Sequence, residues 1–100
     1  MCGDELPATF LRVAHVKPRS LCSDEEKRDP TNVLVACVWC DVAFERGWLG
    51  LDEDQKILVS EGLIVTPAMS SLLSRVRDRQ IARALNAESV AFHRQHSFVS

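Results

Sequence analysis

No apolar run in this sequence approaches the roughly 20 residues that span a bilayer. The start, Met1-Cys2-Gly3-Asp4-Glu5, lacks a basic flank leading into an apolar stretch, so a secretory leader is not expected. Internal repeats, low-complexity tracts and linker-like segments are also missing. Nor is there an excess of positive charge: 12 basic residues stand against 14 acidic ones, for a formal charge of −2. Non-specific coating of nucleic acid rests on neutralising phosphates, so that class is disfavoured, although a local basic surface is not. These absences leave one cytoplasmic domain over residues 1–100, without a membrane partner, as the expectation.

What is present is enough for a folded core. A hydrophobic fraction of 46% excludes a wholly disordered chain. A core this small is marginal, so a structural metal or a partner would help it. The four cysteines are Cys2, Cys22, Cys37 and Cys40. In a reducing compartment they favour metal binding or plain burial over disulfides. Arg12, Lys17 and Arg19 cluster around His15, whereas Arg75, Arg77, Arg79 and Arg83 read as a solvated face.

The pattern of residues predicts an α+β order of elements. Residues 9–16 form a strand that Pro18 ends, with His15 at its rim. Residues 17–31 make a polar loop with one helical turn at 23–28. A second strand at 32–37 leads into a helix at about 39–46, which Gly47 stops. Residues 48–51 and 56–60 form a hairpin around an acidic turn, and 61–66 is a connector with a short strand at 63–65. Pro67 opens a helix, and Met69, Leu72, Leu73, Val76, Ile81 and Leu85 approximate one face of it. A last short helix holds Val90, Phe92 and His93. The core is expected over about 9–60 and a helical part over 67–98.

Two groups of residues carry chemistry. Cys37-Val38-Trp39-Cys40 is a C-x-x-C at a strand-to-helix junction, a spacing that lets two thiolates face one tetrahedral zinc. Cys2-Gly3 offers a third ligand and Cys22 a fourth from the loop. Buried unliganded thiols remain open as an alternative, as does redox chemistry. Redox use, however, wants a thioredoxin-like βαβ setting that this order of elements does not offer. The second group centres on His15. A lone histidine is more often structural than catalytic, but this one has company. Asn32 opens the next strand, and Asp41 and Glu45 lie four apart on the following helix. That spacing puts both carboxylates on one face, suited to a hard divalent cation.

Read together, these stretches resemble the HNH nuclease family. Ala14-His15-Val16-Lys17-Pro18 is similar to its A-H-I-x-P stretch, and Asp29-Pro30-Thr31-Asn32 to its D-x-x-N segment. Cys40-Asp41-Val42-Ala43-Phe44-Glu45-Arg46-Gly47-Trp48-Leu49 is similar to its C-D-x-x-F-[DE]-R-G-x-[IL] helix. Residues 52–60 match the acidic turn and strand that follow, and Phe92-His93-Arg94 resembles a common C-terminal W/F-H-R. The resemblance implies a ββα-metal core followed by a β-hairpin and C-terminal helices. It implies an endonuclease acting on DNA in the restriction or defence style. His15 would be the general base, and Asn32 would hold the loop and orient the histidine. Asp41 stands where many relatives place the final metal-binding histidine. It would ligate catalytic Mg²⁺ or Mn²⁺, with Glu45 as the weaker candidate. Lys17 and Arg19 would meet the nucleic acid. Relatives that carry structural zinc begin with C-x-x-C-G, of which only Cys2-Gly3 stands here, so the resemblance implies either an N-terminally shortened version or an incomplete zinc site, with Cys2, Cys37 and Cys40 as the zinc ligands. A larger relative would carry a separate DNA-reading domain or partner. The alternative is a zinc-stabilised binding module for nucleic acid or protein whose catalytic activity has decayed.

Overall fold

The computed structural model describes residues 1, 7–61 and 66–99. Strands β1 (Leu11–His15) and β2 (Val33–Cys37) pair antiparallel, in the register Leu11↔Cys37 through His15↔Val33. Side chains alternate across the pair, so Ala14, Leu34 and Ala36 are buried while Val13 and Val35 face outward. The loop between the strands holds the short helix α1 (Asp24–Arg28). It starts with a reciprocal cap: the Ser23 hydroxyl accepts from the Glu26 N–H at 3.2 Å, and the Glu26 carboxylate accepts from the Ser23 N–H at 3.0 Å.

β2 passes directly into α2 (Val38–Glu45), whose N-cap is Cys37; its sulfur accepts from the Cys40 N–H at 3.3 Å. Cys40, Ala43 and Phe44 point from α2 into the core. Gly47, at φ 83°, ends the helix in the left-handed conformation, and a Cβ there would collide with the Ser97 carbonyl oxygen. Only glycine lets the chain's last turn close over this corner.

The hairpin consists of β3 (Leu49–Leu51) and β4 (Ile57–Val59). Its turn is held by Asp52, whose carboxylate accepts from the Asp54 N–H at 2.8 Å and the Lys56 N–H at 2.9 Å. Two helices follow. In α3 (Pro67–Val76) the Thr66 hydroxyl caps Met69, with proline in the first turn. In α4 (Ala87–His96) Asn86 caps Ser89. The expected ββα core, hairpin and C-terminal helices are therefore present in that order, an α+β fold. The strand expected at 63–65 lies outside the described residues. Among the described residues no helix is long and apolar enough to cross a membrane.

The apolar face expected to run on to Leu85 as helix does not. α3 stops at Val76, and Asp78 takes a left-handed conformation at φ 64°. The reason is the open edge of the hairpin. Ile57 donates to the Arg79 carbonyl at 2.8 Å and accepts from the Asp78 N–H at 3.0 Å, while Gln55 binds the backbone N–H of both Ile81 and Leu85. Unpaired strand groups outcompete helical periodicity here, and Ile81 and Leu85 reach the core from an extended strap.

Candidate active site

A polar cleft of about 340 Å³ opens where the end of β1, the loop after it, α2 and α4 meet. His15, Arg19, Asp41, Glu45 and His93 are among the residues that line it. His15 is the last residue of β1 and is half-buried, so its ring sits at the rim rather than in the core. Asp41 and Glu45 stand one turn apart on α2, as their spacing predicts. Burial pushes the Asp41 carboxyl above its ordinary range, the Glu45 carboxylate adds to the rise, and the Arg12 guanidinium opposes it. Two carboxylates that repel one another in a partly buried cleft are a place where a cation is favoured.

Asn32 is buried and does not line the cleft; it works through the loop. Its Oδ1 accepts from the Lys17 N–H at 2.9 Å, and its Nδ2 donates to the Glu26 carbonyl at 3.1 Å and to the Cys22 sulfur at 3.3 Å. Its own carbonyl accepts from the Val16 N–H at 2.8 Å. One amide side chain thus ties together the residues on both sides of the turn that follows His15. The two basic residues differ. Lys17 is committed to Glu26 at 2.8 Å and lies over the Phe92 ring, 5.0 Å from its centre. That contact, with a further hydrogen bond from the Ser23 backbone, holds Glu26 below the usual carboxylate range. Arg19 is exposed on the cleft's rim.

A histidine, an asparagine and a helix-borne carboxylate in this order and geometry coincide with a match to the family model described as HNH endonuclease, over residues 1–52. The chain belongs to the HNH endonuclease family. No curated protein matches it at a significant level. The HNH match ends within the hairpin turn, so it takes in His15, Asn32, Asp41 and Glu45 but stops short of the C-terminal helices.

The wall that the match leaves out contains a residue to which sequence reasoning gave no role. His93 on α4 is 2% exposed, and its ring stacks on Phe44 with centroids 3.7 Å apart and planes 5° from parallel. Its Nε2 lies 2.8 Å from the Phe44 carbonyl oxygen. A carbonyl only accepts, so Nε2 carries the proton and Nδ1 carries a lone pair. That Nδ1 is buried without a hydrogen-bond partner among the described residues. Burial pushes the imidazole below its ordinary value, against the hydrogen bond to Phe44, and favours the neutral ring. The only signal in the sequence was the likeness of Phe92-His93-Arg94 to a C-terminal motif of HNH nucleases.

The cysteines fall into separate surroundings. Cys37 and Cys40 are buried at the start of α2, beside a larger apolar hollow of about 600 Å³ lined by Trp39, Trp48 and Met69. Cys22 is held in the loop, its sulfur 3.4 Å from the carbonyl oxygens of both Lys17 and Pro18. Cys2 lies outside the described residues. Among the described residues no three His, Cys, Asp or Glu side chains are gathered as a metal cage, in the HNH cleft or elsewhere. Among the described residues, Cys37 is the only ionisable side chain lining the larger hollow, whereas His15, Arg19, Asp41, Glu45 and His93 line the smaller cleft.

Proposed function

We propose that this chain is a metal-dependent endonuclease that hydrolyses DNA phosphodiester bonds, with His15 activating the attacking water. One polar cleft gathers His15, Asp41 and Glu45, and that juxtaposition carries the reading. His15 takes a proton from water as the water oxygen bonds to phosphorus. The bond to the leaving ester oxygen then breaks, and that oxygen takes a proton from solvent. Asn32 keeps the turn after His15 in place, so the ring meets the phosphate in one orientation. Arg19, exposed at the rim and without a salt-bridge partner among the described residues, is the cation placed to meet a backbone phosphate. Lys17 would first have to leave Glu26.

Asp41 would hold Mg²⁺ or Mn²⁺, with Glu45 as a weaker second donor. Such an ion is commonly bound by one or two carboxylates and completed by water and substrate phosphate, which fits a cleft without a ready-made cage. When bound, the cation neutralises charge on the phosphate and on the leaving oxygen. A chain of net charge −2 has little general pull on DNA, so a local basic surface, or a separate domain or partner, would have to supply the affinity.

A plasmid-nicking assay titrated with Mg²⁺ or Mn²⁺ tests the proposal. Asp41→Asn is expected to lower the rate and to raise the half-saturating metal concentration by about tenfold or more. Wild-type protein that nicks nothing at any metal concentration would leave the decayed binding module in its place. An Asp41→Asn curve that overlays wild type would move the metal to Glu45.

We also propose that Cys37 and Cys40 share a structural zinc with Cys2. Both described thiols are buried at one helix start, and zinc supplies roughly 10–16 kcal/mol of apparent binding free energy in finger peptides. Elemental analysis of protein purified without added zinc should find about one zinc per chain. Cys37→Ser should lose it and melt at lower temperature. A stably folded, zinc-free wild type would make these cysteines ordinary core residues.

A further inference from the structure

We propose that His93 Nδ1 is a protein ligand, together with Asp41, of the divalent cation in the His15 cleft. The inference rests on the reading of Asp41 as a metal ligand and adds a donor from outside the part of the chain that matches the family model. Its basis is the state of the imidazole. A histidine that binds a metal almost always donates its other ring N–H to a carbonyl or carboxylate, which fixes the tautomer and aims the lone pair. His93 has that arrangement: Nε2 donates to the Phe44 carbonyl at 2.8 Å, and Nδ1 has no hydrogen-bond partner among the described residues.

Burying an acceptor without a donor costs about 1–3 kcal/mol, so native structures seldom keep one without a use. A purely structural histidine in this position would satisfy both nitrogens or be replaced by an apolar side chain of similar shape. The stack on Phe44 already supplies the packing. What remains unexplained is a lone pair on a residue that lines the same cleft as Asp41 and Glu45. α2 supplies both halves of the arrangement, since the carbonyl that orients the imidazole and the two carboxylates lie within five consecutive residues, 41–45. One carboxylate and one imidazole leave the other coordination positions to water and phosphate. That donor pair favours Mn²⁺ or Co²⁺ over Mg²⁺, because imidazole suits transition metals and Mg²⁺ prefers oxygen.

The test measures Mn²⁺ binding to the full chain without DNA, through the loss of the free-ion signal in electron paramagnetic resonance. His93→Gln is the informative variant: its amide nitrogen stands in for Nε2–H toward the Phe44 carbonyl, and nothing replaces Nδ1. Binding should weaken by about tenfold or more in His93→Gln, as in Asp41→Asn. In wild type, traces of Mn²⁺ should broaden the His93 ring resonances in imidazole nitrogen NMR, a readout that needs no variant to fold. If Asp41→Asn loses Mn²⁺ while His93→Gln binds like wild type, or if the His93 resonances stay sharp, the His93 assignment falls and the Asp41 reading stands. Wild-type protein that binds no Mn²⁺ overturns both.

Discussion

His15→Ala should cut plasmid nicking by about 10²–10⁴-fold, the usual contribution of a positioned general base, while the melting temperature stays close to wild type. The separation of the two effects follows from where the side chain sits. His15 pairs with Val33 through its backbone, which alanine keeps, and its ring is half-buried at the rim rather than packed in the core. Mn²⁺ binding should be unaffected, because the proposed ligands are Asp41 and His93. Loss of nicking together with a large drop in melting temperature would mean that the histidine is structural. Equal nicking by variant and wild type would remove His15 from the mechanism and force the proton onto another group of the cleft.

Phe44→Ala should have the largest effect on stability, roughly 3–5 kcal/mol. Phe44 is 1% exposed, belongs to the central apolar cluster, and carries the His93 ring stacked on its own. Truncation leaves a cavity under α2 and removes the stack, and neither neighbour can close the gap without moving a helix. For a domain of this size each kcal/mol lowers the melting temperature by about 4–8 °C, so a fall of roughly 12 °C or more is expected. Thermal unfolding followed by circular dichroism reads it directly. A loss below about 1 kcal/mol would show that α4 repacks freely and that the wall of the cleft is not held by this contact.

The parts of this fold that were legible in the sequence are those fixed by near neighbours. The path from Asn32 to Leu49 could be read because β-branched residues, an amphipathic turn and a glycine stop follow in order, and each acts within a few residues. His15 at a strand end followed from Pro18, and the shared face of Asp41 and Glu45 followed from helical spacing. What escaped depends on distant partners. Ile81 and Leu85 fit a helical period, and only the hairpin edge around Gln55 and Ile57 makes their segment extended. Lys17 looks like a free phosphate-binding cation until α1 presents Glu26 to it. His93 looks like one polar residue on a short helix, because its meaning lies in a carbonyl 49 residues earlier.

That separation bears on how the protein comes into being. A ribosome delivers the chain from its first residue, so His15, Asn32 and Asp41 emerge well before α4. Until α4 docks, the Phe44 carbonyl has no imidazole to receive and one side of the cleft is unbuilt. Closing such a long loop is among the slow steps of folding. A translation product cut short anywhere before residue 87 would carry the residues of the matched segment yet lack the α4 wall of the cleft. If His93 is a ligand as proposed, such a fragment would hold Mn²⁺ less tightly than the whole chain.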